Sequence, residues 1–163
     1  MDLSLNLPAY AIIDVVNGKA LIRETRYTDN KAIGGSKVPR AKRIKRIADD
    51  IAQIFVDYPD IDAVVREKGF SRYANTTQIL FRVVGVSDLK VYEGSGITNI
   101  EEIAPTSVKR LVAGDGKASK DEVAEGVREF LIDMQKDYKF HSDDVSDAIA
   151  VGIAFMIKKG LLD

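Results

Sequence analysis

The chain has 163 residues, 30% of them charged, and a formal net charge of -1 at pH 7. A chain of this length fits one domain around one core, so we expect residues 1–163 to form a single domain. It contains no cysteine, which excludes disulfides, zinc–thiolate clusters and thiol nucleophiles. Any metal must be held by oxygen ligands or by the lone His141, and oxygen ligands favour a hard ion such as magnesium or manganese.

Hydropathy gives no sign of a membrane segment. No apolar run approaches the roughly 20 residues that span a bilayer, and the first residues lack the charged start and apolar stretch of a signal peptide. We therefore expect a cytoplasmic protein without a membrane partner.

The charges are unevenly distributed along the chain. Between Lys31 and Arg46 every charged residue is basic, whereas acidic residues crowd the stretch from Asp49 to Asp62 and the last third. Such asymmetry is typical of a protein that presents one positive face to nucleic acid. A solvated helix start followed by a loop explains the same charges equally well.

The first predicted elements are two strands and a helix. Ala9–Val16 is apolar and β-branched, and Lys19–Tyr27 follows after Asn17-Gly18, the strongest short hairpin signal because both turn residues tolerate positive φ. Gly34-Gly35-Ser36 then indicates a flexible basic loop. A helix is predicted from about Pro39 to Tyr58, because apolar residues recur there at helical spacing.

The rest of the chain predicts an alternation of short strands and helices. The predicted strands are Ile61–Val65 and Leu89–Tyr92, and the predicted helices are Thr76–Val86, Pro105–Val112, Lys120 to about Met134, and Asp143–Lys159. A hairpin followed by such alternation indicates an α/β fold with a mixed sheet flanked by helices.

Carboxylates in two places are candidate metal ligands. Glu67 follows a buried strand directly, where an open α/β sheet places its functional site. Asp144 and Asp147 have i, i+3 spacing, so both project from one face of the last helix near its first turn. Taken alone, this pair is more often part of a helix cap, with Ser142 or Asp143 equally placed as the capping residue.

Four motifs in a fixed order extend these candidates along nearly the whole chain. They are Asp2-Leu3-Ser4; Glu67-x-x-Phe70; Ala104-Pro105-Thr106-Ser107-Val108-Lys109, running on through Gly114-Asp115-Gly116 to Ala118-Ser119-Lys120; and Asp144-x-x-Asp147-Ala148-x-Ala150. In order and spacing these motifs resemble the RuvC-type Holliday junction resolvases of the ribonuclease H-like superfamily. A divergent phage-type member is one form of this interpretation.

The resemblance implies an α/β, ribonuclease H-like fold whose mixed five-stranded sheet has three antiparallel strands followed by two parallel ones. It also implies a homodimeric, structure-selective DNA endonuclease of recombination and repair, which cuts branched DNA symmetrically and leaves 5′ phosphates. The branched substrates are Holliday junctions, with forks and three-way junctions as further candidates. The cofactor would be Mg²⁺, two ions per subunit, with Mn²⁺ able to substitute.

By the same resemblance, Asp2, Glu67, Asp144 and Asp147 are the catalytic metal ligands. Lys109 and Lys120 would contact the scissile region, where a lysine can stabilise developing charge. Phe70 would stack on opened bases, with Tyr73 as a second stacking residue. The further predicted DNA contacts are basic residues: Lys37, Arg40, Lys42, Arg43, Lys68, Arg72 and Lys117.

Several alternatives stay open at this stage. Only Met1 precedes Asp2, where the family has several apolar residues, so we expect either a shortened central strand or a sequence lacking residues before Met1. His141 is a candidate for positioning water or metal, although a lone histidine before a helix is more often incidental. The Gly114–Gly116 turn lacks the lysine–serine pattern of a nucleotide-binding loop, so no nucleotide cofactor is expected.

Two other functions use the same features. A junction-binding module that has lost its metals would bind branched DNA and cut it weakly or not at all. A ribonuclease acting on RNA–DNA hybrids would use the same carboxylate chemistry.

Overall fold

The computed structural model describes residues 1–69 and 73–162. This part of the chain contains four strands, β1 (Ala9–Val16), β2 (Lys19–Tyr27), β3 (Val65–Glu67) and β4 (Glu101–Ile103). It also contains five α-helices, α1 (Arg40–Asp57), α2 (Ala74–Ser95), α3 (Pro105–Ala113), α4 (Lys120–Phe130) and α5 (Asp143–Lys158). None of the described helices is both long and apolar enough to cross a membrane.

The predicted hairpin is confirmed. β1 and β2 pair antiparallel, with Ala9 opposite Tyr27 at one end and Val16 opposite Lys19 at the turn. Asn17 and Gly18 both have positive φ, as a two-residue hairpin turn requires. β3 and β4 form a second, parallel pair.

The first two residues join the two pairs of strands. Asp2 exchanges two backbone hydrogen bonds with Ala9 of β1, at 3.0 and 2.9 Å. On the other side, the Met1 amine donates to the Val65 carbonyl at 2.8 Å, and Glu67 N–H donates to the Met1 carbonyl at 3.1 Å. The first of the three expected antiparallel strands is therefore only a single bridge, since Met1–Asp2 is too short to form a ladder.

Helices cover both faces of these strands. Side chains of β1 alternate between two cores, because successive residues of a strand point to opposite faces. Tyr10 and Ile12 pack with the apolar faces of α1 and α2, whereas Ala9 packs with α3, α4 and α5. The strands thus form the middle layer between two helical layers.

Two predicted strands differ from the structure, and one observed strand was not predicted. The predicted strand Leu89–Tyr92 is wrong, because α2 continues through it with Val91 fully buried, and short apolar runs do not distinguish strand from helix. The predicted strand Ile61–Val65 lies mostly outside β3, which begins at its last residue. β4 has the sequence Glu-Glu-Ile, so nothing in its pattern predicts a strand.

Candidate metal and DNA site

The bridge made by Met1–Asp2 brings Asp2 next to Glu67. Met1 accepts a hydrogen bond from Glu67 N–H, while Asp2 pairs with Ala9 on the opposite side. Glu67 is the last residue of β3, so both carboxylates lie at the same end of neighbouring strands. This is the edge at which an open α/β sheet places its site.

Burial and like charges act together on Asp2. The pKa of Asp2 is raised to about 6, mainly by burial and in addition by the charges of Asp147 and Asp144. The Met1 ammonium and Lys120 oppose this rise. A carboxylate that neighbouring carboxylates perturb across different elements is a typical sign of a functional site.

Glu67 and Asp147 belong to the same group of charges. Burial, followed by the charges of Asp2 and Asp147, raises the pKa of Glu67 to about 7, against the opposing effect of Lys109. Burial also raises the pKa of Asp147, although Lys120 lowers it. Three of the four predicted metal ligands therefore have raised pKa values, and each interacts electrostatically with others of the set.

The start of α5 presents Asp144 and Asp147 to this group. Ser142 is the capping residue, and its hydroxyl accepts a hydrogen bond from Val145 N–H at 3.3 Å. This resolves the alternative left open by the sequence, because Asp143 is not needed as the cap. The charges of Asp144 and Asp147 act on Asp2, and that of Asp147 also acts on Glu67, near the positive end of the helix dipole.

Lys120 connects α4 to the start of α5. Its Nζ lies 3.2 Å from Asp143 Oδ2 and 3.3 Å from Asp147 Oδ2. Lys120 is the first residue of α4, which a reciprocal cap between Ser119 and Glu122 fixes in place. Asp143 also belongs to this charge cluster, although the sequence indicated only a capping role for it. Its position next to Asp144 was the signal that could have identified it.

Helices α3 and α4, which carry the two predicted lysines, pack closely against each other. Gly126 of α4 lies so near α3 that a Cβ there would overlap the carbonyl oxygen of Val112. Lys109 lies on α3, and its charge reaches both Glu67 and Glu122. The predicted lysines and carboxylates therefore converge from α3, α4, α5, β3 and the N-terminal segment.

The donor chemistry of this cluster fits a hard divalent cation. All four predicted ligands offer carboxylate oxygens, the donors that magnesium and manganese prefer. Within residues 1–69 and 73–162 no three acidic or histidine side chains already surround a common point at metal-binding distance. Lys120 instead supplies positive charge to the cluster through Asp143 and Asp147.

His141 and the glycine turn have structural partners of their own. The His141 ring stacks on Tyr27 with centroids 5.1 Å apart, and Nε2 lies 3.0 Å from the Tyr27 hydroxyl. This contact supports the incidental interpretation of His141. Gly114 ends α3 in the left-handed region with φ 78, which explains the Gly114–Gly116 turn without a bound phosphate.

Most predicted DNA contacts are on the surface. Tyr73 is 76% exposed, and the exposed basic members are Lys37, Arg40, Lys42, Lys68 and Lys117. Phe70 and Arg72 lie outside the described residues. Lys37, Arg40 and Lys42 lie close together in sequence at the start of α1. Their positive charges are therefore concentrated at that end of the helix.

Arg43 is a correction to the prediction. It is only 8% exposed, and its guanidinium donates to Asn6 Oδ1 at 3.0 Å. The reason is helical spacing, since Arg43 is one turn before the buried Ile47 and lies on the inner face of α1. Arg46 also points inward, donating to the carbonyl of Asp29, so the basic stretch divides into structural and exposed residues.

Comparison with known proteins identifies the family of this chain. The sequence model of the family described as crossover junction endodeoxyribonuclease RuvC matches residues 2–155. The chain belongs to the RuvC family. This family consists of crossover junction endodeoxyribonucleases, and membership implies dependence on a divalent metal.

Individual relatives match over almost the full chain. RuvC of Prochlorococcus marinus strain MIT 9312 is 28% identical over 161 residues, covering 98% of this chain and 96% of the relative. RuvC of Prochlorococcus marinus subsp. pastoris is 30% identical over 161 residues, with the same coverage. Both are bacterial proteins, and the comparisons give no support to the phage-type interpretation.

Solved structures match the fold. The structure of Thermus thermophilus RuvC superposes with a TM-score of 0.80 at 21% identity, covering 98% of this chain and 94% of that one. The structure of T. thermophilus RuvC in complex with a Holliday junction substrate gives a TM-score of 0.81 at 22% identity, with 98% and 93% coverage. The α/β fold expected from the sequence is confirmed at this level.

The raised pKa of Glu67 predicts a specific pH dependence of stability in the metal-free protein. A carboxyl whose pKa rises on folding stabilises the folded state at low pH, and that contribution is lost as pH rises through about 7. Glu67→Gln should therefore gain stability relative to the unchanged protein as pH increases from 5 to 8. Urea unfolding at several pH values, with chelator present, measures this difference.

Comparison with the unchanged protein is needed because burial lowers the pKa of the Met1 amine to about 6, which acts in the opposite direction. Glu129→Gln removes an exposed carboxylate of α4 and serves as the control. A stability difference for Glu67→Gln that stays constant from pH 5 to 8 would contradict the assignment.

Proposed function

We propose that this chain binds four-way DNA junctions, with forks and three-way junctions as further substrates, and cuts them in a reaction that requires Mg²⁺ or Mn²⁺. The observation that carries the proposal is the convergence of Asp2, Glu67, Asp144 and Asp147 with two lysines. Family membership gives the reaction class, and the carboxylate cluster gives its location. Junction binding by the Thermus protein supports the choice of substrate.

The four carboxylates are proposed to hold two ions in each subunit. Bound divalent ions lower the pKa of the attacking water and stabilise charge on the phosphate oxygens. Hydrolysis joins the water oxygen to phosphorus and breaks the bond to the 3′ oxygen, leaving a 3′ hydroxyl and a 5′ phosphate. The protein's own part is to hold the carboxylates at one point and to exclude other orientations of the strand.

Lys109 and Lys120 are proposed to contact the phosphate that reacts. Lys120 reaches Asp143 and Asp147, and Lys109 acts electrostatically on Glu67, so both ammonium groups are near the carboxylates. Positive charge held there stabilises negative charge that develops on the phosphate. Phe70 and Tyr73 are proposed to stack on opened bases, and Lys37, Arg40, Lys42, Lys68, Arg72 and Lys117 to follow the DNA backbone.

The architecture proposed with this function is ribonuclease H-like, with residues 1–163 as one domain. The hydrogen bonds support a strand order of β2, β1, Met1–Asp2, β3, β4, in which the middle position belongs to the N-terminal bridge. That order corresponds to three antiparallel members followed by two parallel ones.

A homodimer is the proposed active form, and α2 is its proposed interface. Three large apolar side chains of α2 are exposed, Phe81 at 59%, Leu89 at 52% and Tyr92 at 57%. Their spacing of eight and three residues places them along one face of the helix. A second copy of the same helix offers an equally apolar surface, as a two-fold symmetric contact requires.

Replacement of Glu67 by Gln should abolish cutting while leaving junction binding nearly unchanged. Loss of a metal ligand should reduce the cleavage rate by at least about 100-fold, the upper range seen when only a supporting partner of a ligand is removed. Labelled four-way, three-way and linear DNA and an RNA–DNA hybrid, incubated with Mg²⁺, report cutting; gel-shift titration in Ca²⁺ reports binding. Glu129→Gln should cut normally.

Three other outcomes of this assay would each contradict a specific part of the proposal. Cutting by Glu67→Gln at the normal rate would show that the ligand assignment is wrong. Tight junction binding by the unchanged protein without cutting at any Mg²⁺ concentration would identify a junction-binding module. Cutting confined to the hybrid would identify a ribonuclease.

The α2 interface predicts that Phe81→Glu yields monomers. A charge buried in an apolar contact loses its hydration without gaining a partner, so desolvation opposes association. Sedimentation velocity measures the oligomeric state. Val56→Glu is the matched control, since Val56 is a 71% exposed apolar residue on α1. A dimer that survives Phe81→Glu would contradict the proposed interface. Disruption of the dimer by both substitutions would contradict it as well.

A further inference from the structure

Lys120 lies between two carboxylates of α5 that have different surroundings. Its Nζ is 3.2 Å from Asp143 Oδ2 and 3.3 Å from Asp147 Oδ2. Asp143 and Asp147 are four residues apart on the helix, so one ammonium can reach both. The side chain of Asp147 is 33% exposed, whereas that of Asp143 is 75% exposed. Lys120 therefore bridges an inner carboxylate and an outer one.

The inner carboxylate belongs to the proposed metal site, and the outer one does not. The charge of Asp147 acts on both Asp2 and Glu67, and the charge of Asp143 acts on Asp147. Ser142 provides the side-chain cap of α5, so the cap does not explain Asp143. The helix dipole favours an acidic residue in the first turn, and the contact with Lys120 is a second role that can be tested separately.

Lys120 cannot keep both partners when Asp147 binds a divalent ion, because the charge of the ion repels the ammonium. Asp143 is then the carboxylate that remains for it. The lysine side chain is flexible and 59% exposed, so an ammonium without a partner would move into solvent. The backbone of Lys120 is already fixed by the reciprocal cap at the start of α4, which leaves only the side chain to be held.

We propose that Asp143 is a positioning residue, which holds Lys120 beside the carboxylates when Asp147 binds the metal. This inference rests on the proposed function, in which Asp147 is a metal ligand and Lys120 contacts the reacting phosphate. The carboxylate of Asp143 repels a DNA phosphate, so its contribution comes from holding Lys120 and not from binding the strand.

Acetylation of lysine side chains, followed by mass spectrometry, tests the position of Lys120 without requiring cleavage. An ion-paired ammonium loses its proton less readily and therefore reacts more slowly. Asp143→Asn should raise the acetylation rate of Lys120 by about threefold in saturating Mg²⁺, and by less in chelator, where Asp147 remains a partner. Asp143→Glu should leave the rate nearly unchanged. Lys136, whose Nζ lies 3.9 Å from Asp133, is the internal reference.

Single-turnover cleavage of a four-way junction measures the contribution of this contact to the reaction. Asp143→Asn should lower the maximal rate about three- to fivefold, the range of an exposed ion pair, without weakening junction binding. Asp143→Glu should restore the rate. In a Lys120→Gln background, Asp143→Asn should have no further effect, because it acts through Lys120. Asp133→Asn, which removes the exposed partner of Lys136, should cut normally.

Unchanged acetylation of Lys120 in Asp143→Asn would overturn the proposal, as would an equal increase with and without Mg²⁺. The same loss of rate in the Lys120→Gln background would also overturn it, since Asp143 would then act independently of Lys120. A junction left uncut by the unchanged protein would instead refute the proposed function. Acetylation would still decide in that case whether Asp143 holds Lys120.

Discussion

The backbone hydrogen bonds of Met1 and Asp2 hold this fold together at its centre. β1 and β2 form one pair, β3 and β4 form another, and the only strand-like connection between the pairs in the described chain is this two-residue bridge. The bridge also fixes the position of Asp2. Met1 accepts a hydrogen bond from Glu67, and the next residue, Asp2, pairs with Ala9. Sheet continuity and the placement of two carboxylates thus depend on the same few hydrogen bonds.

The grouped carboxylates are unfavourable for the folded chain in the absence of compensating positive charge. Burial and mutual repulsion raise the pKa values of Asp2, Glu67 and Asp147, so each ionised form costs folding free energy. Lys120 offsets part of this cost through Asp143 and Asp147. Such a cluster is retained where function needs it, and its preference for positive charge suits both a divalent cation and the lysines that would meet a DNA phosphate.

Local signals predicted local structure well. Asn17-Gly18 gave the hairpin with its observed bounds, and the apolar spacing of α5 gave that helix to within one residue. Features set by tertiary contacts were not legible in the sequence. β4 is a strand only because its backbone pairs with β3, and Arg43 is buried because the inner face of α1 includes its position. The convergence of carboxylates followed from resemblance to a family, since no spacing between Asp2, Glu67 and Asp147 implies that they meet.

The most direct test of the carboxylate site is a crystal structure of the protein with Mn²⁺, with the ions located by their anomalous scattering. We expect two manganese peaks about 3.5–4 Å apart, bound by oxygens of Asp2, Glu67, Asp144 and Asp147. Lys120 would then give up its contact with Asp147. Peaks elsewhere on the molecule, or an ion bound without Asp2 and Glu67, would contradict the central claim that these carboxylates form one metal site.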